Sequence, residues 1–471
     1  MSAVEPHEAG TDLASAAAVP EGALCPGQRP LPGRRGPREP WTGEGEPAPQ
    51  LEEQGATPAP SRRRRQARWG GGGVLNITSR DGARTQRRIT GVDAARGAAL
   101  IGMVAVHTLP VADEQTGSPT LQWLLFGGNA SALFAVLAGV AVSFLVGGRR
   151  QWTRRRLRRA QATLFVRALL LLAWGLLMNL LPNPVFDILP YYALLFLLAL
   201  PFTQLRVRYL IASAVVVAVA GPLLRHAVLR VAPVTEHMDP TPTDLVTDPV
   251  GLFTYLLFTG VYPAATWLAF ILVGMALGRL MLQKRAVQLT LVGIGGALAA
   301  LGTGGSWLLV NVLGGMRAIT ENSAVASPRM VRETMVYGPD VTLPADTLWW
   351  QLVAGPHANT TLSLVAATGM ALMALGGVLW ISRVAGDVLR PLASLGSMTL
   401  TGYSLHLALL AMVDVTEHPA LWFWLMVVLG ALAAVAWQRA VGRGPLESAV
   451  SALSRHGGAA LIRPDGRRSR G

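Results

Sequence analysis

The sequence predicts an all-α protein, a polytopic membrane helix bundle of about ten transmembrane helices with both termini cytoplasmic. Three observations carry that prediction. Hydrophobic residues make up 51% of the chain and charged residues 14%, and the mean hydropathy of +0.39 is too high for a soluble domain with a polar surface. Apolar runs of roughly 20 residues, the length that crosses a hydrocarbon core of about 30 Å, recur about ten times. Arginine-rich loops alternate with loops that carry acids, as the positive-inside rule requires of successive spans.

The elements follow in chain order. Residues 1–88 are rich in Pro, Gly, Ala and Arg, with SRRRRQAR at 61–68 and GGGG at 70–73, and hold no apolar stretch able to fold or insert. They are expected to be a disordered cytoplasmic tail without a cleavable signal peptide. The membrane domain is expected over 89–441, with spans near 90–110, 121–147, 161–181, 185–201, 206–224, 262–282, 287–311, 360–382, 391–413 and 418–438. A basic cytoplasmic tail, 442–471, closes the chain. The long connections 225–261 and 312–358 fall on the outer side, and the first contains GLFTYLLFTG, too short to span and expected to be re-entrant or interfacial.

Composition also excludes chemistries. The only cysteine, Cys25, lies in the tail, so neither a disulfide nor a Cys-based metal site is expected, and no metal is assigned. Lys284 is the only lysine and sits in a basic loop, a poor place for Schiff-base chemistry. The net charge of +14 does not point to nucleic acid, because the arginines cluster between apolar runs and at the termini.

The first span is unusual. GVDAARGAALIGMVAVH, residues 91–107, places Asp93, Arg96 and His107 in an otherwise apolar helix. Arg96 and His107 fall within about 20° of one another on the helical wheel and about 16 Å apart along the axis. Asp93 lies one turn below Arg96 on nearly the same face. Such a stripe should face the bundle interior or a water-filled cavity, since charge in a bilayer is costly. The bland alternative is an interfacial Asp93–Arg96 pair, with Arg96 snorkelling and His107 ending the helix. Against that reading, the topology brings His357 in GPHANTT, and Tyr403 and His406 in SMTLTGYSLH, to the depth of His107.

These stretches resemble a family. RITGVDAARGAALIGMVAVH is similar to the first-span signature of membrane acyltransferases related to heparan-alpha-glucosaminide N-acetyltransferase, in particular the actinobacterial members and the DUF418 group. The Arg96 to His107 spacing also resembles that of the acyltransferase-3 proteins. Further blocks match in order: FGGNASALFAVLAGVAVSF, LPYYALLFLLALP, YPAATWLAFILVGMALGRL, GPHANTT, LGSMTLTGYSLH and VGRGPLES. Asn129 stands where relatives often carry a basic residue.

The resemblance implies an enzyme of the cell membrane, a multi-pass acyltransferase that moves an acyl group, usually acetyl, from cytosolic acyl-CoA to a hydroxyl or amine on the far side. Acetyl-CoA is then a donor substrate, and no cofactor is bound. The acceptor would be an extracytoplasmic sugar, lipid or small molecule, with membrane lipids as surroundings. His107 would be the general base, with His357 and His406 as further catalytic candidates. Arg96, held by Asp93 and helped by arginines of 149–159, would clamp the phosphates of CoA. Asn129, Tyr192 and Tyr403 would contact substrate. An acyl-histidine intermediate is a variant of the same chemistry. The rival reading is a transporter, or a non-catalytic membrane partner; carriers also place ionisable groups on broken helices, although no two-fold repeat is visible in this sequence.

Overall fold

The computed structural model describes residues 90–148, 153–182, 184–232 and 239–462, and these are helical without a named strand. Helix α1 spans Thr90–Thr108. A short helix, Leu121–Phe126, leads into α2, Asn129–Leu145. Then come α3, Arg154–Met178; α4, Leu189–Ala199, prolonged by a 3₁₀ turn to Gln204; and α5, Val207–Leu229. They are followed by α6, Ala264–Leu277; α7, Arg285–Asn311; and α8, Thr361–Val384. The chain ends in α9, Thr399–Met412; α10, Pro419–Ala440; and α11, Pro445–Leu461.

Each of the ten expected apolar segments is helical over most of its length. As spans they divide. Among the described residues, six helices are long and apolar enough to cross a membrane, or up to eight if two bent pairs each count as one. The remaining two are α1, whose apolar run is interrupted by Asp93, Arg96 and His107, and α4, which is too short by itself. Several apolar helices of this kind make a multi-pass membrane protein.

Two of these spans are bent. GLFTYLLFTG forms the end of a helical piece, Pro249–Thr259, that meets α6 at 59° across Gly260 and Pro263. The segment before α9, Gly386–Gly396, meets it at 65°. The break exposes the first backbone N–H groups of α9, which lack intrahelical partners. Glu447 of α11 supplies them: its carboxylate accepts from Leu400 N (2.7 Å), Thr401 N (3.1 Å) and the Thr401 hydroxyl (2.6 Å). The 445–461 stretch, expected to be tail, is thus helical and caps the broken helix.

Small residues let the helices meet backbone to backbone. Gly139 of α2 and Gly274 of α6 oppose each other, so a Cβ on either would strike the other helix's main chain. Gly97 of α1 lies on the Leu392 carbonyl and Gly396 on the Asp93 carbonyl, which seats α1 against the helix before α9. By contrast α10 is peripheral, with Ala434 its only buried residue.

Candidate active site

The site is built around α1. At the Arg96 end, the Arg96 guanidinium donates to the Asp93 carboxylate at 2.9 Å, and both side chains are largely buried. Arg96 also lines a cavity of about 330 Å³ together with Arg167, Tyr192, Tyr403, Arg443 and Glu447. The walls between these polar groups come from apolar side chains of α2, α3 and α4. The cavity therefore has cations at one end and two phenols further in. The Tyr192 ring stacks between Phe134 (5.9 Å) and Phe196 (6.2 Å), and its buried hydroxyl has no hydrogen-bond partner among the described residues. The Tyr403 hydroxyl is committed: it donates to Asp187 (3.0 Å) and accepts from the Ile188 N–H (3.1 Å).

At the other end of α1, His107 meets His406. Nδ1 of His107 is 3.0 Å from Nε2 of His406, and Nδ1 of His406 is 2.7 Å from the Tyr403 carbonyl oxygen. The planes differ by 6° and the centroids are 5.3 Å apart. With a 3.0 Å N···N contact, that separation leaves room only for the two ring radii, so the rings lie edge to edge in one plane. In-plane nitrogen lone pairs require this geometry.

The contacts also fix the tautomers of two neutral rings. A carbonyl only accepts, so His406 carries its hydrogen on Nδ1 and presents a lone pair at Nε2. His107 must then donate from Nδ1, which leaves the lone pair of its own Nε2 available. His107 is half-buried, whereas His406 is buried.

His357 is held apart. It sits on the loop before α8 with a φ of 54°, and Asn359 follows with a φ of 57°. Positive φ at a residue other than glycine is strained and persists only where the surroundings impose it. Here Asn359 imposes it. Its amide donates to the Val261 carbonyl (3.1 Å) and the His357 carbonyl (2.7 Å), and its oxygen accepts from the Trp267 indole (2.7 Å). The His357 ring stacks on Trp267 and meets Tyr262 edge-on. Burial lowers the pKa of His357 to about 4, and its Nδ1 has no partner among the described residues. His357 lines a second cavity, of about 280 Å³, with Asn129, Trp123 and Trp267. The Asn129 amide reaches only backbone carbonyls, Leu125 O being the nearer at 3.3 Å.

The eight candidate residues thus fall into three groups. Arg96, Tyr192 and Tyr403 line the cationic cavity, with Asp93 bonded to Arg96; His107 and His406 form a pair; His357 and Asn129 share the second cavity. Arginines 154–159 do not line the cationic cavity, and 149–152 lie outside the described residues. Arg167 and Arg443 take their place. For Arg167 the signal was in the sequence, as an arginine inside the apolar run LFVRALLLL, subject to the same reasoning that singles out Arg96.

A carboxylate pair lies beside Tyr403. The Asp187 N–H donates to both oxygens of Asp239 at 3.1 Å, and one oxygen of Asp187 is buried without a partner among the described residues. Burial raises the pKa of Asp187 to about 7; burial and the neighbouring Asp187 raise that of Asp239 to about 8.

No curated protein matches the chain. Residues 88–310 match the family model described as heparan-alpha-glucosaminide N-acetyltransferase, catalytic. The matched part spans α1 to α7 and holds Arg96, His107, Asn129 and Tyr192, while His357, Tyr403 and His406 lie beyond it. Through this segment the chain is related to heparan-alpha-glucosaminide N-acetyltransferase, a relation that points to a membrane acetyltransferase.

Proposed function

We propose that the protein is an integral-membrane acyltransferase that carries an acyl group, acetyl in the first instance, from acyl-CoA at the Arg96 end to a hydroxyl or amine at the His107 end. The Arg96 end faces the cytoplasm in this reading, because the loops joining α2 to α3, α6 to α7 and α8 to α9 carry the arginines there. Arg96, Arg167 and Arg443 bind the phosphates of CoA as charge-assisted donors. The pantetheine arm then lies along the cavity towards Tyr192, whose free hydroxyl donates to the thioester oxygen as negative charge develops there.

The observation that carries the reading is the hydrogen-bond relay from His107 through His406 to the Tyr403 carbonyl. It supports a role for His107 Nε2 as general base. The acceptor's proton passes to Nε2, its oxygen or nitrogen bonds to the thioester carbon, and the C–S bond breaks. The proton then returns to sulfur, so the products are the acylated acceptor and free CoA. His406 positions His107, and His357 with Asn129 contacts the acceptor from the second cavity.

The test is His107→Ala in purified protein, with thiol release from acetyl-CoA as readout. Removal of a general base should cost on the order of 10²- to 10⁴-fold. Wild-type thiol release from this variant, at wild-type abundance and melting temperature, would sink the assignment.

A further inference from the structure

A third cavity, of about 460 Å³, lies between α1, α9 and α10. Helix α9 divides it from the cationic cavity. Thr399, Leu400 and Tyr403 face the cationic side, whereas Gly402, Leu405, His406 and Leu409 face the cleft. Besides His406, the only lining side chains with polar atoms are Thr401 and two tryptophans, and the Thr401 hydroxyl already donates to Glu447. Along α10 the lining runs from Trp422 to Trp437, a rise of about 22 Å. That is longer than one leaflet's share of a hydrocarbon core of about 30 Å. Two cleft residues of α10, Leu425 and Leu429, are themselves exposed, so the cleft opens sideways towards the bilayer.

An apolar surface on a membrane protein is covered by bulk lipid and has no need of a histidine. This one has a buried imidazole in its wall, bonded to His107 on its other edge. On α1 the cleft is lined by Leu100 and Val104, and His107 follows one turn beyond Val104. A chain lying in the cleft therefore has its head at the histidine pair.

From this geometry we infer that the cleft holds the hydrocarbon tail of the acceptor, which is a membrane lipid with a hydroxyl or amine in its headgroup, entering laterally between α1 and α10. The inference rests on the acyl-transfer reading and names its acceptor class. The donor's own chain is not the occupant, because the cationic cavity that receives the donor lies across α9. The headgroup O–H or N–H loses its proton to His107 Nε2, the heteroatom bonds to the acyl carbon, and sulfur leaves and takes up the proton. The lipid departs acylated.

The test uses inside-out membrane vesicles of the native cells, which supply their own lipids, given acetyl-CoA labelled in its acetyl group. Label should enter the chloroform-soluble fraction with the wild-type protein and not after deletion of its gene. Gly430→Phe fills the cleft from α10, where an added Cβ meets nothing closer than Leu395 at 3.8 Å. It should lower lipid labelling on the order of tenfold or more, since binding energy from the tail is lost to the reaction. Leu432→Phe, on the exposed face of α10 and outside the cleft, should label lipid as wild type does. Ala433→Phe repeats the block one turn away if Gly430→Phe does not accumulate in the membrane. Lipid labelling unchanged by a folded cleft variant overturns the inference. Label confined to the aqueous fraction, as an acceptor entering beside Asn129 and His357 would give, overturns it too while leaving acyl transfer standing. Absence of both label transfer and thiol release overturns the reading beneath it.

Discussion

His107 and His406 share one plane and one hydrogen bond, Nδ1 of the first lying 3.0 Å from Nε2 of the second. Because His406 is itself anchored on the Tyr403 carbonyl, the direction of that bond is set for the neutral pair. In the proposed mechanism the orienting partner of the base is a second imidazole, where many enzymes use a carboxylate.

The proposed mechanism makes His406 a positioning residue, and its substitution should separate positioning from packing. His406→Ala should lower kcat for acyl transfer on the order of 10²-fold while KM for acyl-CoA changes little, because it removes the acceptor that holds the His107 tautomer. His406→Gln, whose amide oxygen can accept from His107 Nδ1, should recover part of the loss. Steady-state kinetics on the three proteins decide the matter; equal kcat values for Ala and Gln would speak for packing alone.

At the Arg96 end the prediction is a binding defect. Arg96→Ala and Arg167→Ala should each raise KM for acetyl-CoA by about tenfold, with a smaller effect on kcat, the loss expected of a charge-assisted contact. Lysine at either position should restore binding incompletely, since an ammonium cannot match the guanidinium fork. Titration with desulfo-CoA, which keeps the phosphates and lacks the thiol, measures this without turnover. An unchanged affinity in Arg167→Ala would remove that residue from the clamp.

Stability should depend on pH through Asp187 and Asp239. Their folded pKa values, about 7 and about 8, lie above the ordinary carboxylate value, so the folded state holds protons that the unfolded chain has already lost. Stability is therefore greatest at the acid end of this window, falls as pH rises from about 4 to about 8, and levels off above. The unfolding midpoint in detergent should follow that course, and Asp239→Asn should flatten it by removing one titrating group and its repulsion of Asp187. A midpoint that climbs between these limits would contradict the pair's protonation.

Much of this architecture was legible in the sequence because it is local. Apolar length fixes where helices form, and a spacing of eleven residues puts Arg96 and His107 on one face whatever surrounds them. The breaks before α6 and α9 were less legible. Gly260 and Pro263 mark the first, but the second depends on Glu447, some fifty residues downstream, to satisfy the exposed N–H groups. Helix α11 is not legible in the sequence, because the 442–471 stretch is too polar to resemble a span, yet the helix packs on α3 through Gly458 and caps α9.

The sequence by itself determined that this chain is a helical membrane protein with an acid, an arginine and a histidine striped along its first helix. It left His357 and His406 as equal partners for His107. Only the tertiary structure decided between them. His406 reaches across 299 residues of chain to bond His107, while Asn359 pins His357 against Trp267 on another wall. The reason is physical: periodicity fixes the face a residue occupies, whereas the partner it meets depends on how closely two helices approach. Here that approach is set by Gly97 and Gly396, where any larger side chain would push α1 away from the helix leading into α9.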